Sequence, residues 1–183
     1  MTALLRFAGV SLRRGGRLLF EGLSFEVGPG EALLVTGPNG SGKSSMLRLA
    51  AGLLRAEAGR VESGPLALAD DTLALDRELT LHAALQFWGG DVDAGLAAVD
   101  LTSLARVPVR LLSAGQAKRA SLARVAASGA PLWLLDEPAN ALDFASLARF
   151  GELVQRHRES GGAVVAAAHG GLPGEWRTLE LGA

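Results

Sequence analysis

Gly37-Pro-Asn-Gly-Ser-Gly-Lys-Ser44 meets every fixed position of the pattern G-x-x-x-x-G-K-[ST]. Glycines at 37, 40 and 42 let the backbone take conformations that a Cβ opposes, so that successive N–H groups converge on an anion. Lys43 then offers a point charge to the β- and γ-phosphates of a nucleotide, and Ser44 a hydroxyl to a magnesium ion. The whole run, with Pro38, Asn39 and Ser41 inside it and Ser45 just after it, is the candidate nucleotide-binding loop.

The flanks fit that reading. Glu31 to Thr36 is a short apolar run with the length of a buried strand, and Ser44 to Leu54 carries helix formers with Gly52 as a stop. A loop between a strand and a helix N-terminus adds the helix dipole to the anion site. Upstream, Ala3 to Leu12 and Leu18 to Val27 are strand-like and separated by the turn cluster Arg13 to Arg17, which predicts an antiparallel hairpin.

Downstream, 59–63 and 65–69 are short strand candidates. From Thr80 to about Leu104 the spacing turns helical, with Leu81, Leu85 and Trp88 on one face behind a Thr80 cap and a second helix near Asp91. A third helix is expected after Gly115, burying Ala120, Ala123 and Ala127 and leaving Lys118, Arg119 and Arg124 to solvent. Residues 77–128 thus form a small helical subdomain. Pro131 to Leu135 is a continuous apolar run, as in a parallel strand covered on both faces. A helix over 143–159 and a strand over 162–168 complete a parallel α/β core.

Ligands bind beyond the carboxyl ends of strands in such a sheet, where Asp136, Glu137 and His169 also fall. Asp136 is suited to hold magnesium with Ser44, and Glu137 to draw a proton from an attacking water. His169 is placed to contact the γ-phosphate or orient that water, whereas His82 and His157 read as surface or packing residues.

Composition narrows the function. With 183 residues and 49% hydrophobic content, one domain over 1–183 is expected. A net charge of −1 gives no basic field for sequence-independent binding of nucleic acid, which is not expected as a partner. The absence of cysteine excludes disulfides and thiolate metal sites. No apolar stretch reaches the roughly 20 residues that span a bilayer and no signal peptide is evident, so a cytoplasmic protein is expected.

Leu112-Ser-Ala-Gly-Gln116 precedes the third helix, and with it the chain resembles the nucleotide-binding subunits of ABC transporters. Ser113, Gly115 and Gln116 match the family's L-S-G-G-Q signature, with Ala114 in place of a glycine. Ala141-Leu142-Asp143 is similar to the family's D-loop, and His169 stands at its switch histidine. The resemblance implies a P-loop NTPase fold of ABC type, with an N-terminal antiparallel β subdomain, a parallel-sheet core and a helical subdomain. It also implies ATP and Mg2+, with Ser113, Gly115, Gln116 and Asp143 meeting the nucleotide of a second ATP-binding subunit in an ATP-bound homodimer. The remaining implied partner is an integral membrane transporter subunit, which holds the chain at the cytoplasmic face of the membrane.

Two family features are replaced. The turn that usually supplies an aromatic to stack on adenine carries Arg13 to Arg17, whose guanidinium planes can stack instead. The loop glutamine expected ahead of the Leu79-Thr80 pair is Asp71, beside Asp70, and its carboxylate is a further candidate magnesium ligand. Within the family, Gly15-Gly16-Arg17, Leu19-Phe20, Leu23-Ser24-Phe25 and the Ala-Gly-Gln signature are similar to the haem-exporter ATPases of c-type cytochrome maturation. The rival reading is a soluble ABC-type regulator with no membrane partner, a class that generally shows tandem cassettes or long coiled-coil insertions. A monomeric P-loop kinase or GTPase would not need the signature, and no Asn-Lys-x-Asp guanine motif is present.

Overall fold

A computed structural model describes residues 3–70 and 72–182. The hairpin forms from β1 (Leu5–Arg14) and β2 (Arg17–Val27), joined across Gly15-Gly16, and β4 (Ala58–Ser63) pairs with the other edge of β1 to complete an antiparallel sheet in the order β2-β1-β4. Between them in sequence lie β3 (Ala32–Thr36) and α1 (Lys43–Ala50).

The second sheet is parallel. Its order is β5 (Leu66–Ala69), β6 (Leu132–Asp136), β7 (Ala163–Ala167), β3, and β8 (Arg177–Glu180). Every residue of β6 and β7 is buried, as their unbroken apolar runs require of strands covered on both faces. Because successive side chains alternate between faces, Leu33, Val35, Leu132 and Leu134 pack toward the antiparallel sheet and α1, with Phe7, Met46 and Leu47. Leu34, Trp133, Leu135 and Val164 pack the opposite way, against α2 (Leu81–Gln86), α3 (Val92–Ala98), α4 (Ala114–Ala127) and α5 (Phe144–Glu159). The carboxyl ends of β3 and β6, where the sequence predicts its chemistry, open on the same edge of this sandwich, because β3, β7 and β6 run parallel in register.

Several local expectations are corrected. α1 stops at Ala50 rather than Leu54, with Gly52 at φ 71° just beyond it. The second helix starts at Asp91 as expected, but the first stops at Gln86, so Trp88 lies outside α2 and is 48% exposed while Leu81 and Leu85 are fully buried. α4 begins one residue before Gly115, and its cations do not all turn to solvent. Lys118 Nζ donates to the Asp136 carbonyl at 3.2 Å and Arg119 Nη1 to the Val99 carbonyl at 3.1 Å. Arg124 donates to the Leu68 carbonyl, and its guanidinium carbon lies 4.5 Å from the centre of the Trp88 ring. Long aliphatic stems let these residues reach across apolar surface while their charged heads satisfy carbonyls at the end of β6, at the end of α3 and in β5. β8 was not predicted: its four residues are exposed or half-buried and carry no apolar run.

Candidate nucleotide site

β3 ends at Thr36 and α1 starts at Lys43, so the predicted loop fills the interval. Gly37 stands at φ 139°, and a Cβ there would come within 2.3 Å of the Leu181 carbonyl oxygen and 2.9 Å of Ser41 Oγ. Leu181 is itself fixed, its N–H donating to the Thr36 carbonyl at 2.9 Å. Gly42 caps α1 at φ 105° with no side-chain cap, which leaves the first N–H groups of the helix for an anion.

Lys43 is 7% exposed and its Nζ donates to the Gly37 carbonyl at 2.8 Å and the Pro38 carbonyl at 3.3 Å. The ammonium is thereby held inside the curl of the loop. Ser41 Oγ is buried with no hydrogen-bond partner among the described residues. A cationic cradle with uncapped N–H groups fits a polyphosphate, and the neighbouring Ser44 hydroxyl has the hard oxygen that magnesium takes.

The loop opens on a cleft of about 580 Å³ whose walls include Arg14, Leu19, Lys43, Ser44, Glu137 and His169. Asp136 closes β6 at 4% exposure. Glu137 follows at φ 47°, a conformation that a side chain adopts only at a cost of about 1–3 kcal/mol and that the surroundings must enforce. They do so through its N–H, which donates to the Ala167 carbonyl at 2.8 Å. The turn aims the carboxylate across the strand ends, where Oε1 lies 3.4 Å from His169 Nε2. A carboxylate and an imidazole thus face the cleft opposite the phosphate loop, as general-base chemistry on a water requires. Asp71 lies outside the described residues; its neighbour Asp70 has Oδ2 3.8 Å from Arg48 Nη2 and accepts from Thr72 Oγ1 at 3.0 Å.

The signature forms the start of α4. Ser113 is its cap: Oγ accepts from the Gln116 N–H at 3.3 Å, and Gln116 Oε1 accepts from the Ser113 N–H at 2.9 Å. The reciprocal pair rigidifies the helix end, and it leaves the N–H groups of Ala114 and Gly115 pointing out of the helix start. Gly115 is needed for a close approach, since a Cβ there would sit 2.7 Å from the Ala141 carbonyl oxygen. The signature therefore rests on the D-loop of its own chain, not on its own nucleotide cleft. Asp143 caps α5 through the Ser146 N–H at 2.7 Å, and that bond holds its carboxyl below the usual carboxylate range.

The structure brings Lys43, Ser44, Ser45, Glu137 and His169 to one cleft, and leaves Ser113, Gly115, Gln116 and Asp143 on separate helix starts. His157 is a packing residue, its ring stacked on Trp133 with centroids 3.7 Å apart and Nε2 3.2 Å from the Pro131 carbonyl. His82 is half-exposed beside Asp93, at 3.5 Å. Arg14 and Gly15, from the Arg13 to Arg17 turn offered above in place of an adenine-stacking aromatic, line the cleft, while Leu19 beside them was not singled out as one of its walls.

A phosphate loop on a parallel sheet, an acidic strand end facing it and a capped signature helix define an ATPase of the cassette type. The chain belongs to the ABC transporter family, whose sequence model matches residues 20–140. Among curated proteins, the cytochrome c biogenesis ATP-binding export protein CcmA of Sphingopyxis alaskensis is 53% identical over 177 residues, covering 92% of this chain and 91% of the relative. The protein of the same name from Zymomonas mobilis is 51% identical over 180 residues, covering 94% and 81%. A solved structure of the ATP-binding subunit of an ABC transporter superposes with a TM-score of 0.83 at 20% identity, covering 91% of this chain and 79% of the other, a likeness of fold. Names of this kind give the soluble-regulator reading no support. Among the described residues, no helix is long and apolar enough to cross a membrane.

Proposed function

We propose that this chain is the ATP-hydrolysing subunit of a membrane complex that exports or releases haem for c-type cytochrome assembly. The observation that carries the catalytic part is Glu137, held at positive φ with its carboxylate on the same cleft as Lys43. The export part rests on the curated relatives, whose name couples ATP binding to cytochrome c biogenesis.

In this reading the loop from Gly37 to Ser45 wraps the phosphates, with Lys43 on the β- and γ-groups. Ser44 and Asp136 would hold magnesium, which when bound would offset the negative charge of the phosphates. Glu137 accepts a proton from the attacking water as its oxygen bonds to the γ-phosphorus and the bridging oxygen leaves with ADP. His169, ion-paired to Glu137 when protonated, positions that carboxylate and the γ-phosphate side of the water. Ser113, Gly115, Gln116 and Asp143 close over the nucleotide of a second copy, so ATP joins two chains and hydrolysis parts them. An integral membrane subunit converts that motion into transport from the cytoplasmic face.

Glu137→Gln tests both halves. Turnover should fall by roughly 10² to 10⁴ with ATP binding retained, and the stalled protein should elute as a dimer with MgATP and a monomer without it. In cells the same variant should abolish assembled c-type cytochromes, and detergent extracts should yield the chain bound to a membrane subunit. A monomer under both conditions would remove the two-copy arrangement; copurification without any membrane subunit would remove the transporter reading.

A further inference from the structure

We propose that Lys118 is a positioning residue for the general base: from α4 it holds the Asp136 carbonyl, and so fixes the peptide from which the Glu137 carboxylate is aimed. The proposal rests on the reading of Glu137 given above and adds to it a residue outside the nucleotide cleft. Glu137 borders two hollows, that cleft and a second cavity of about 370 Å³. Lys118 lines the second, with Asn140 and Ala141, and not the first.

The peptide between Asp136 and Glu137 is planar and trans, so its C=O and N–H point opposite ways. The N–H donates to the Ala167 carbonyl of β7 at 2.8 Å, and the C=O accepts from Lys118 Nζ at 3.2 Å. One bond alone lets the plane swing about it; two bonds at opposite ends set its tilt. The φ of Glu137, 47°, is measured from that plane, and a side chain holds such a conformation only under restraint. β5 ends at Ala69, opposite Leu135, and the carbonyl one residue further along β6 is met by this side chain from α4. The helix is a firm mount there: Ser113 and Gln116 lock its start, Gly115 sits against the Ala141 carbonyl, and Arg119 donates to the Val99 carbonyl. A single carbonyl calls for one donor on a long stem, which lysine supplies. The restraint matters because a general base must stay within hydrogen-bond reach of its proton, and a misplacement of about 1 Å costs about 10²-fold in rate.

Turnover of the full chain with MgATP should fall about 10- to 100-fold in Lys118→Met, which keeps an unbranched stem and loses the donor. KM and the ATP affinity read by calorimetry should stay unchanged. Lys118→Arg keeps a donor and should recover most of the turnover. In a Glu137→Gln background, single-turnover hydrolysis should show no further loss from Lys118→Met, because the lysine acts only through that carboxylate. Unchanged turnover in Lys118→Met, an arginine variant as slow as the methionine one, or a further loss on top of Glu137→Gln would each overturn the proposal. So would a fall in ATP affinity in Lys118→Met, which marks a structural or phosphate-binding role. A wild-type chain that hydrolyses no ATP, or a Glu137→Gln variant with full turnover, would instead bring down the general-base reading itself, and the proposal with it.

Discussion

Gly37→Ala and Gly40→Ala separate two costs that the phosphate loop imposes together. Both positions have positive φ, 139° and 78°, so an alanine at either carries a backbone cost of about 1–3 kcal/mol. At Gly40 the nearest atom to a Cβ is Arg17 Nη1 at 3.7 Å, an ordinary contact, and the backbone cost is the whole effect. At Gly37 the Cβ would lie 2.3 Å from the Leu181 carbonyl oxygen, far inside contact distance. Leu181 cannot step aside without giving up its bond to Thr36 and its buried side chain, so overpacking adds about 1–3 kcal/mol. The sum, about 2–6 kcal/mol, is a large share of the roughly 5–15 kcal/mol that keeps a domain folded. In thermal melts Gly37→Ala should therefore unfold about 2 to 12 °C below Gly40→Ala, and MgATP should raise the melting temperature of Gly40→Ala more. Equal melting temperatures for the two variants, or a lower one for Gly40→Ala, would refute the claim that the end of β8 clamps the loop.

Lys43→Ala should remove charge-assisted bonds to phosphate worth about 1.5–3 kcal/mol each and weaken ATP affinity at least about tenfold by calorimetry. Ser113→Ala deletes the cap of α4 and should cost about 0.5–2 kcal/mol in urea unfolding, while leaving monomeric ATP binding intact because the signature faces away from its own cleft. Burial holds the His157 imidazole below its ordinary value near 6.5. As the pH falls through that value the unfolded chain takes up the proton before the native one, so stability should drop on acidification from neutral and level off below the native pKa. His157→Phe keeps a ring on Trp133 and should flatten that slope in melts at about pH 7 and about pH 5.

What could be read from residues alone follows how local the determinant is. The phosphate loop is fixed by glycines whose roles lie within one turn of chain, and the buried strands β6 and β7 by unbroken apolar runs, so both were legible. Thr80, Asp91 and Asp143 cap α2, α3 and α5 through side chains three residues from the N–H groups they satisfy, and the Thr80 cap and the helix starts near Asp91 and Asp143 were legible for the same reason. β8 was not, because its existence depends on pairing with β3, more than a hundred residues earlier, and its own side chains are mostly exposed. The inward turn of Arg119 and Arg124 was likewise hidden: the partners are carbonyls of Val99 and Leu68, set by how helices and strand ends meet. The signature's motif was legible, but its seat on Ala141, at φ 64°, was not, since nothing in Ala141-Leu142-Asp143 announces a positive φ at an alanine.

The order β6-β7-β3 acts as a gauge. Asp136 pairs with Ala167, and Ala167 with Val35, so the acidic strand end and the strand leading into the phosphate loop stand on one row with a single strand between them. At about 4.8 Å per strand that row is roughly 10 Å across, room for a phosphate group and a hydrated ion between carboxylate and glycine backbone. One strand fewer would press the acid onto the loop; one more would put it out of reach. Growth of this sheet is thereby confined to its margins, beyond β5 or beyond β8, where added strands leave the spacing untouched.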